Sequence, residues 1–329
     1  GLTRPPPGRA VVRPVPGESP LLGAPLSVLD PAQSYEANLR LLQRDGLPRL
    51  PSLTSREREV ESRFCAQLEA DLPQAVAAVR LLGGTEDTQF FEADAVKRLD
   101  PGYGTTKPPA NDAERDYRLR FNHPLQAGAV VLHSLAFLQR LDALAALPPG
   151  DARRSVFVTG GGCGAGKGGL ADQVRRQGTA PFGAVFDAAG ESEGLEAQWV
   201  LEACAARGLS AVFGFAAGDP LRTYANVIDR AGFTGRVVDV ETFARSYVEG
   251  RKSFAALISS PRFVALREAG QASAFAIDPG AFDPRSRTDP DRPEYPDIRV
   301  LNPGEDLTPA ALPAVPDHDT IVATATALV

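Results

Sequence analysis

Methionine is absent from the 329 residues, tryptophan occurs once, and cysteine and histidine three times each. Cys65, Cys163 and Cys204 are odd in number, widely spaced and without CxxC pairing. Neither a disulfide framework nor a zinc site is expected, and a reducing compartment is. His123, His133 and His318 share no metal-ligand spacing. No apolar run reaches the ~18 residues of a membrane-spanning helix, and no apolar signal core opens the chain, so a soluble, cytoplasmic protein without membrane partners is expected. Basic residues are in the minority, 35 against 41 acidic, for a net charge of −6. That balance opposes broad attraction to nucleic acid or acidic lipid while leaving room for a local phosphate pocket. Nothing in the pattern of the chain explains the missing methionine.

Glycine, by contrast, is plentiful, and it concentrates in SVFVTGGGCGAGKGGL at residues 155–170. The run 155–159 is β-branched and aromatic and reads as a buried strand, after which helical spacing resumes at Leu170 and Val174. A strand, a glycine loop and a helix start in that order suit a phosphate: the loop backbone aims N–H groups at an anion and the helix adds the positive end of its dipole. Gly161, Gly162, Cys163, Gly164, Ala165, Gly166 and Lys167 fill the first seven positions of GxxxxGK[ST], with Lys167 placed to reach β- and γ-phosphates. The eighth position should carry a hydroxyl for Mg²⁺ and is Gly168 instead. Cys163 within the loop reads as a small filler before it reads as a reactive thiol.

The same letters admit rivals. Gly164, Gly166 and Gly169 spell GxGxxG, and Asp187 follows Gly166 by 21 residues, where a dinucleotide fold wants an acid for ribose hydroxyls. Thr159 to Gly166 also looks like the TGxxxGxG turn of short-chain dehydrogenases. Against that reading, Tyr247 has Arg251 rather than lysine four places on, with Lys252 one place late. A tight turn that binds nothing is the bland alternative.

Along the chain, residues 1–33 are rich in proline and read as an extended or disordered arm. Residues 34–150 read as a helical N-terminal region: helices from Ser34 to Gly46, after a Thr54/Glu57 capping box, over 74–82 and over 92–99, and an amphipathic helix between Pro124 and Leu147. The loop 101–110 carries Thr105, Thr106 and Lys107, and Arg115, Arg118 and Arg120 follow it. These could form a substrate wall, but exposed, solvated charges are the expected reading. Residues 151–280 alternate strand and helix, which calls for a parallel sheet. Strands are expected over 155–159, 182–187, 209–215 and 273–277; a helix from Asp219-Pro220 is expected to end at Gly232, and another over 241–248 at Gly250. Residues 281–329 read as a Pro-rich irregular segment.

Asp187 ends the strand after the glycine loop, where a carboxylate could serve as base or metal anchor for phosphoryl transfer. Glu191 and Glu193 are weaker candidates. Arg222, Arg230 and Arg236 follow the third strand, where cations could neutralise a transferred phosphoryl group.

At these residues the chain resembles the zeta-toxin family of P-loop small-molecule kinases. The likeness rests on VFVTGGGCGAGK at 156–167, AVFDAAGES at 184–192, AVFGFAAGDP at 211–220, DRA at 229–231, GRVVDVETFARSYV at 235–248 and AFAIDPG at 274–280. The resemblance implies a P-loop kinase-like parallel sheet flanked by helices. It also implies ATP-dependent phosphorylation of a hydroxyl on a small nucleotide-like or sugar-nucleotide metabolite. Lys167 would hold phosphates, Asp187 would activate the acceptor, and Arg230 and Arg236 would clamp phosphate or substrate. With Gly168 lacking a hydroxyl, Mg²⁺ would be held through Asp187, water and the nucleotide, or activity would be weakened or lost in a pseudo-kinase. Family toxins and effectors often pair with a neutralising, antitoxin-like protein, and secretion as an effector is a second destination the likeness allows.

Overall fold

The computed structural model describes residues 26–84, 88–106, 108–171, 182–188, 193–235, 238–287 and 292–328. Expected features on other residues lie outside that description: the arm as far as residue 25, Lys107, Glu191 and Arg236.

Helices α1 (Tyr35–Asp45), α2 (Ser55–Ala70) and α3 (Leu72–Leu82) open the described chain. Their starts follow local chemistry: Ser34 caps α1, and Thr54 and Glu57 close a reciprocal capping box on α2. A three-residue strand, β1 (Gln89–Phe91), comes next, then α4 (Ala93–Lys97), α5 (Asp112–Phe121) and α6 (Gln126–Ala145). Of the 20 residues of α6, 15 are buried, so it is enclosed nearly all round rather than amphipathic as its stripe suggests. Helices α1 to α4 pack around it, and its inner side rests on β1 and on β3 (Ala184–Asp187).

The remaining elements are β2 (Ser155–Gly161), α7 (Glu193–Ala205), β4 (Ser210–Ala216), α8 (Pro220–Thr234), α9 (Val240–Ser259), α10 (Pro261–Glu268), β5 (Ala272–Asp278), β6 (Arg299–Val300) and α11 (His318–Thr326). The fold is mixed α/β. A six-stranded sheet runs β1-β3-β2-β4-β5-β6, parallel through β5 and antiparallel at β6. Its central strands are covered on both faces, as parallel strands require. Val156, Val158 and Phe186 face the large core built on α6 and α7, while Phe157 and Val185 face a second core with Tyr224, Phe243, Tyr247 and Ile321.

Several features depart from the sequence reading. Residues 281–329, read as irregular, supply the edge strand β6 and the helix α11, whose Ile321 and Ala325 are buried in the second core. The helical N-terminal region supplies the edge strand β1, and one core runs from Leu39 through Leu135 to Phe213, so residue 150 does not separate two cores. Residues 26–33, grouped with the arm by their prolines, pack instead. Leu26 and Leu29 are buried, Trp199 Nε1 donates to Leu29 O (3.3 Å), and Arg207 donates to Pro31 O (2.7 Å) and Gln33 O (2.6 Å). Neither Gly232 nor Gly250 ends a helix: Gly235 caps α8, and α9 continues through the buried Gly250. No helix among the described residues is long and apolar enough to cross a membrane.

Candidate functional site

Strands β2, β3, β4 and β5 all end on one edge of the sheet, and β2 lies between the two strands that follow it in the chain. The chain thus reverses its direction of progress across the sheet at β2, and ligands of open parallel sheets gather at such a switch point. The glycine loop leaves the sheet there.

Register brings the candidate residues together. Thr159 pairs with Asp187 across β2 and β3, and Thr159 Oγ1 donates to Asp187 Oδ1 at 2.6 Å, fixing one carboxylate oxygen; among the described residues the other accepts no hydrogen bond. Ala188 N donates to Thr159 O (3.2 Å), extending the pairing by one residue. Lys167 Nζ donates to Ala188 O at 2.8 Å, so the ammonium stands at the end of β3, one residue beyond Asp187.

The loop is shaped from several sides. Gly166 sits at φ +97°, where a side chain is strained, and a Cβ there would lie 2.7 Å from Pro279 Cβ. Cys163 N donates to Ser246 Oγ (2.9 Å), whose hydroxyl donates to Phe243 O (2.7 Å), so α9 holds the first half of the loop. Ala165 N closes a turn onto Gly162 O (3.0 Å). Leu170 N makes the first helical bond onto Gly166 O (3.0 Å), which leaves the N–H groups of residues 167–169 at a helix start without intrahelical acceptors. Gly168 itself is exposed, and among the described residues a Cβ on it would meet nothing nearer than Glu294 Oε2 at 3.7 Å.

Gly162, like Gly169, is among the tightest positions of the loop. A Cβ there would collide with the ring of Tyr247, which is buried and whose hydroxyl shares a 2.7 Å hydrogen bond with Thr223 Oγ1. The ring has nowhere to go. Gly162→Ala is therefore expected to lower stability by ~1–3 kcal/mol, read as a shift in the denaturant midpoint, with Tyr247→Leu in the same chain restoring part of the loss.

Among the other sequence candidates, Arg230 lies half-buried on α8, and Arg222 is exposed and pairs with Asp219 (3.3 Å) at the helix start. Glu193 begins α7. Tyr247, burial having raised its pKa, backs the loop rather than facing a ligand, and Lys252 pairs with Glu249 at 2.9 Å. Arg118 is not solvated: it is buried and donates to Tyr103 O (2.6 Å) and Thr106 O (2.8 Å), tying the 101–106 loop. His133 lies in the core with its ring 4.9 Å from that of Phe186, and burial pushes its pKa down to about 4, so it is neutral. Cys65 and Cys204 are buried thiols pushed up to about 12, and Cys163 is half-exposed. No cluster of metal-ligating side chains is found among the described residues.

Sequence reading missed Ser246, Tyr247 as the loop's backing, and the segment around Tyr295. The Tyr295 ring packs on Gly169, and its hydroxyl donates to Gly164 O (3.4 Å). None of these carries a motif; only the fold brings them to the loop.

The elements define an α/β protein with a glycine loop and a lysine at the switch point of a mostly parallel sheet. No family model matches the chain, and no curated protein matches it either.

Proposed function

We propose that this protein is an ATP-dependent phosphotransferase acting on a hydroxyl of a small nucleotide-like metabolite. The observation that carries this reading is the meeting of Lys167 Nζ with Ala188 O beside an Asp187 carboxylate oriented by Thr159, at the mouth of the glycine loop. A helix start with spare N–H groups, an ammonium group and an oriented carboxylate fit a polyphosphate and its cation. ATP with Mg²⁺, when bound, supplies the transferable phosphoryl group and part of the charge neutralisation.

The chain's own residues then have separate tasks. Lys167 exchanges the Ala188 carbonyl for phosphate oxygens. Asp187, its Oδ1 held by Thr159, accepts the proton of the acceptor hydroxyl with its other oxygen, and the same carboxylate would anchor a cation. Arg230, half-buried on α8, adds positive charge there; Arg236 lies outside the described residues. Phosphoryl transfer relies on such positioning more than on covalent chemistry.

The strand order supports this reading over the dehydrogenase one. In the dinucleotide-binding order 3-2-1-4 the third strand extends beyond the second, whereas here β4 lies on the other side of β2. Tyr247, which would have to reach a substrate, is held in the core by Thr223. Gly168 favours one alternative, a nucleotide-binding protein without catalysis. Acceptor-dependent label transfer from ATP to any compound in a metabolite panel would remove it.

Thermal unfolding with MgATP tests the proposal. ATP at ~100 times its Kd adds ~2.7 kcal/mol to stability, a rise of several degrees, and Lys167→Ala is expected to abolish the rise without lowering the ligand-free Tm. A rise with NADH and none with ATP would overturn it.

A further inference from the structure

A segment from the C-terminal part of the chain crosses the mouth of the glycine loop. It is pinned on both sides: Arg299 on β6 pairs with Asp278 at the end of β5 (2.7 Å), and Asp283 N donates to Glu294 O (2.8 Å) while the Asp283 carboxylate pairs with Arg285 (2.9 Å) and Arg292 (3.7 Å). Between these pins Tyr295 is buried on the loop, its ring against Gly169 and its hydroxyl toward Gly164 O. Its neighbour Glu294 is thereby fixed in backbone position, with its side chain directed to the one loop residue that lacks the expected hydroxyl.

The distances define what that side chain can do. An ion held by a Ser or Thr hydroxyl at position 168 would stand ~2.0–2.1 Å beyond that hydroxyl, two bonds from Cβ. Glu294 Oε2 lies 3.7 Å from the same Cβ position, and rotation of its exposed side chain can carry a carboxylate oxygen to an ion held there. Among the described residues the Glu294 carboxylate meets no hydrogen-bond donor or ion-pair partner, although it is exposed and Arg292 is close in sequence. A carboxylate at the mouth of a phosphate loop repels a bare polyphosphate and becomes favourable only with a divalent cation between the two anions.

We infer that Glu294 replaces the hydroxyl missing at Gly168, supplying from the C-terminal segment an oxygen ligand for the divalent cation of the bound nucleotide. The assignment rests on the phosphate-loop reading above. It explains how a loop with glycine in its eighth position can retain metal dependence, and it places the C-terminal segment inside the nucleotide site.

The test measures binding, not turnover. Fluorescent mant-ATP is titrated onto the full chain in EDTA and in Mg²⁺, for the wild type, Glu294→Gln and the double variant Glu294→Gln/Gly168→Ser. In Mg²⁺, Glu294→Gln is expected to weaken binding by about tenfold, as for loss of a metal-supporting group. In EDTA it is expected to tighten binding by about threefold, because a repulsive charge has gone. Gly168→Ser is expected to return most of the Mg²⁺-dependent affinity, since Gly168 is exposed and its hydroxyl restores the missing ligand. Equal weakening in both media would mean that Glu294 only supports the segment, and no change in either would mean that it does not face the cation; each overturns the inference while leaving the phosphate-loop reading intact. A wild type that binds mant-ATP in neither medium overturns both.

Discussion

Asp187→Asn is expected to retain affinity for ATP and to lose acceptor-dependent phosphoryl transfer by about 10²–10⁴-fold, the range over which a positioned base contributes. The substitution is close to isosteric, and the amide oxygen can take the place of Oδ1 as acceptor for Thr159 Oγ1, which donates at 2.6 Å. The strand end keeps its geometry, because the pairing of Thr159 with position 187 is a backbone matter. What is lost is the free lone pair that takes up a proton and the negative charge. The two contributions separate kinetically. Loss of the base lowers kcat with KM for the acceptor unchanged, whereas loss of a metal anchor raises the MgATP requirement. Labelled ATP, once an acceptor has been found, reads both. Transfer at the wild-type rate would reduce Asp187 to a residue that orders the turn at Ala188.

The parts of this molecule that were legible in its sequence are those set by neighbours in the chain. Ser34, the Thr54/Glu57 pair and Asp219-Pro220 each announce a helix start, and each caps one. The four main strands are read within about two residues because parallel strands buried on both faces are continuous apolar runs. By contrast, β1 is three residues long, too short for any period to show, and it exists because β3 offers it an edge. Gly250 looks like a stop, yet the ~1 kcal/mol that glycine costs inside a helix is offset by the burial of Phe243, Tyr247, Phe254 and Ile258 along the same helix.

The candidate site divides in the same way. The loop, its lysine and Asp187 lie within 27 residues and share a recognisable spacing, while Ser246, Tyr247 and Glu294 reach the loop from positions 80 to 130 residues further on. No local rule connects them. Their roles come from the crossovers that return each strand to the same edge, so that loops distant in sequence converge on one switch point. This also accounts for the incomplete motif: a position that lacks its usual side chain need not be silent when a distant segment is pinned across it.

Arg118 offers the largest expected change in stability, and it lies away from the loop. Its side chain is 1% exposed. Its guanidinium donates to Tyr103 O (2.6 Å) and Thr106 O (2.8 Å), and it sits 4.6 Å from the centre of the Tyr103 ring. Tyr103 in turn donates to Asn122 Oδ1 (3.0 Å), which also accepts from the buried Lys97 (2.9 Å). A planar fork is what lets one cation serve carbonyls on successive turns of a loop while stacking on an aromatic ring. Arg118→Ala strands those carbonyls in a site closed to solvent and opens a cavity, so a loss of ~3–5 kcal/mol is expected, a fall in Tm on the order of 10 °C. Arg118→Lys keeps the charge but not the fork and is expected to recover less than half of the loss. The effect should spread in one direction. A Cβ at Gly235, the cap of α8, would lie 3.1 Å from Arg118 Cβ, so the end of α8 rests on α5 at this residue. Hydrogen exchange is expected to accelerate at residues 101–106 and at the last turn of α8, while β2 to β5 keep their protection until global unfolding. Equal acceleration across the sheet would mean that the loop and the core unfold as one unit, and an unchanged Tm would mean that the carbonyls find water once the guanidinium is gone.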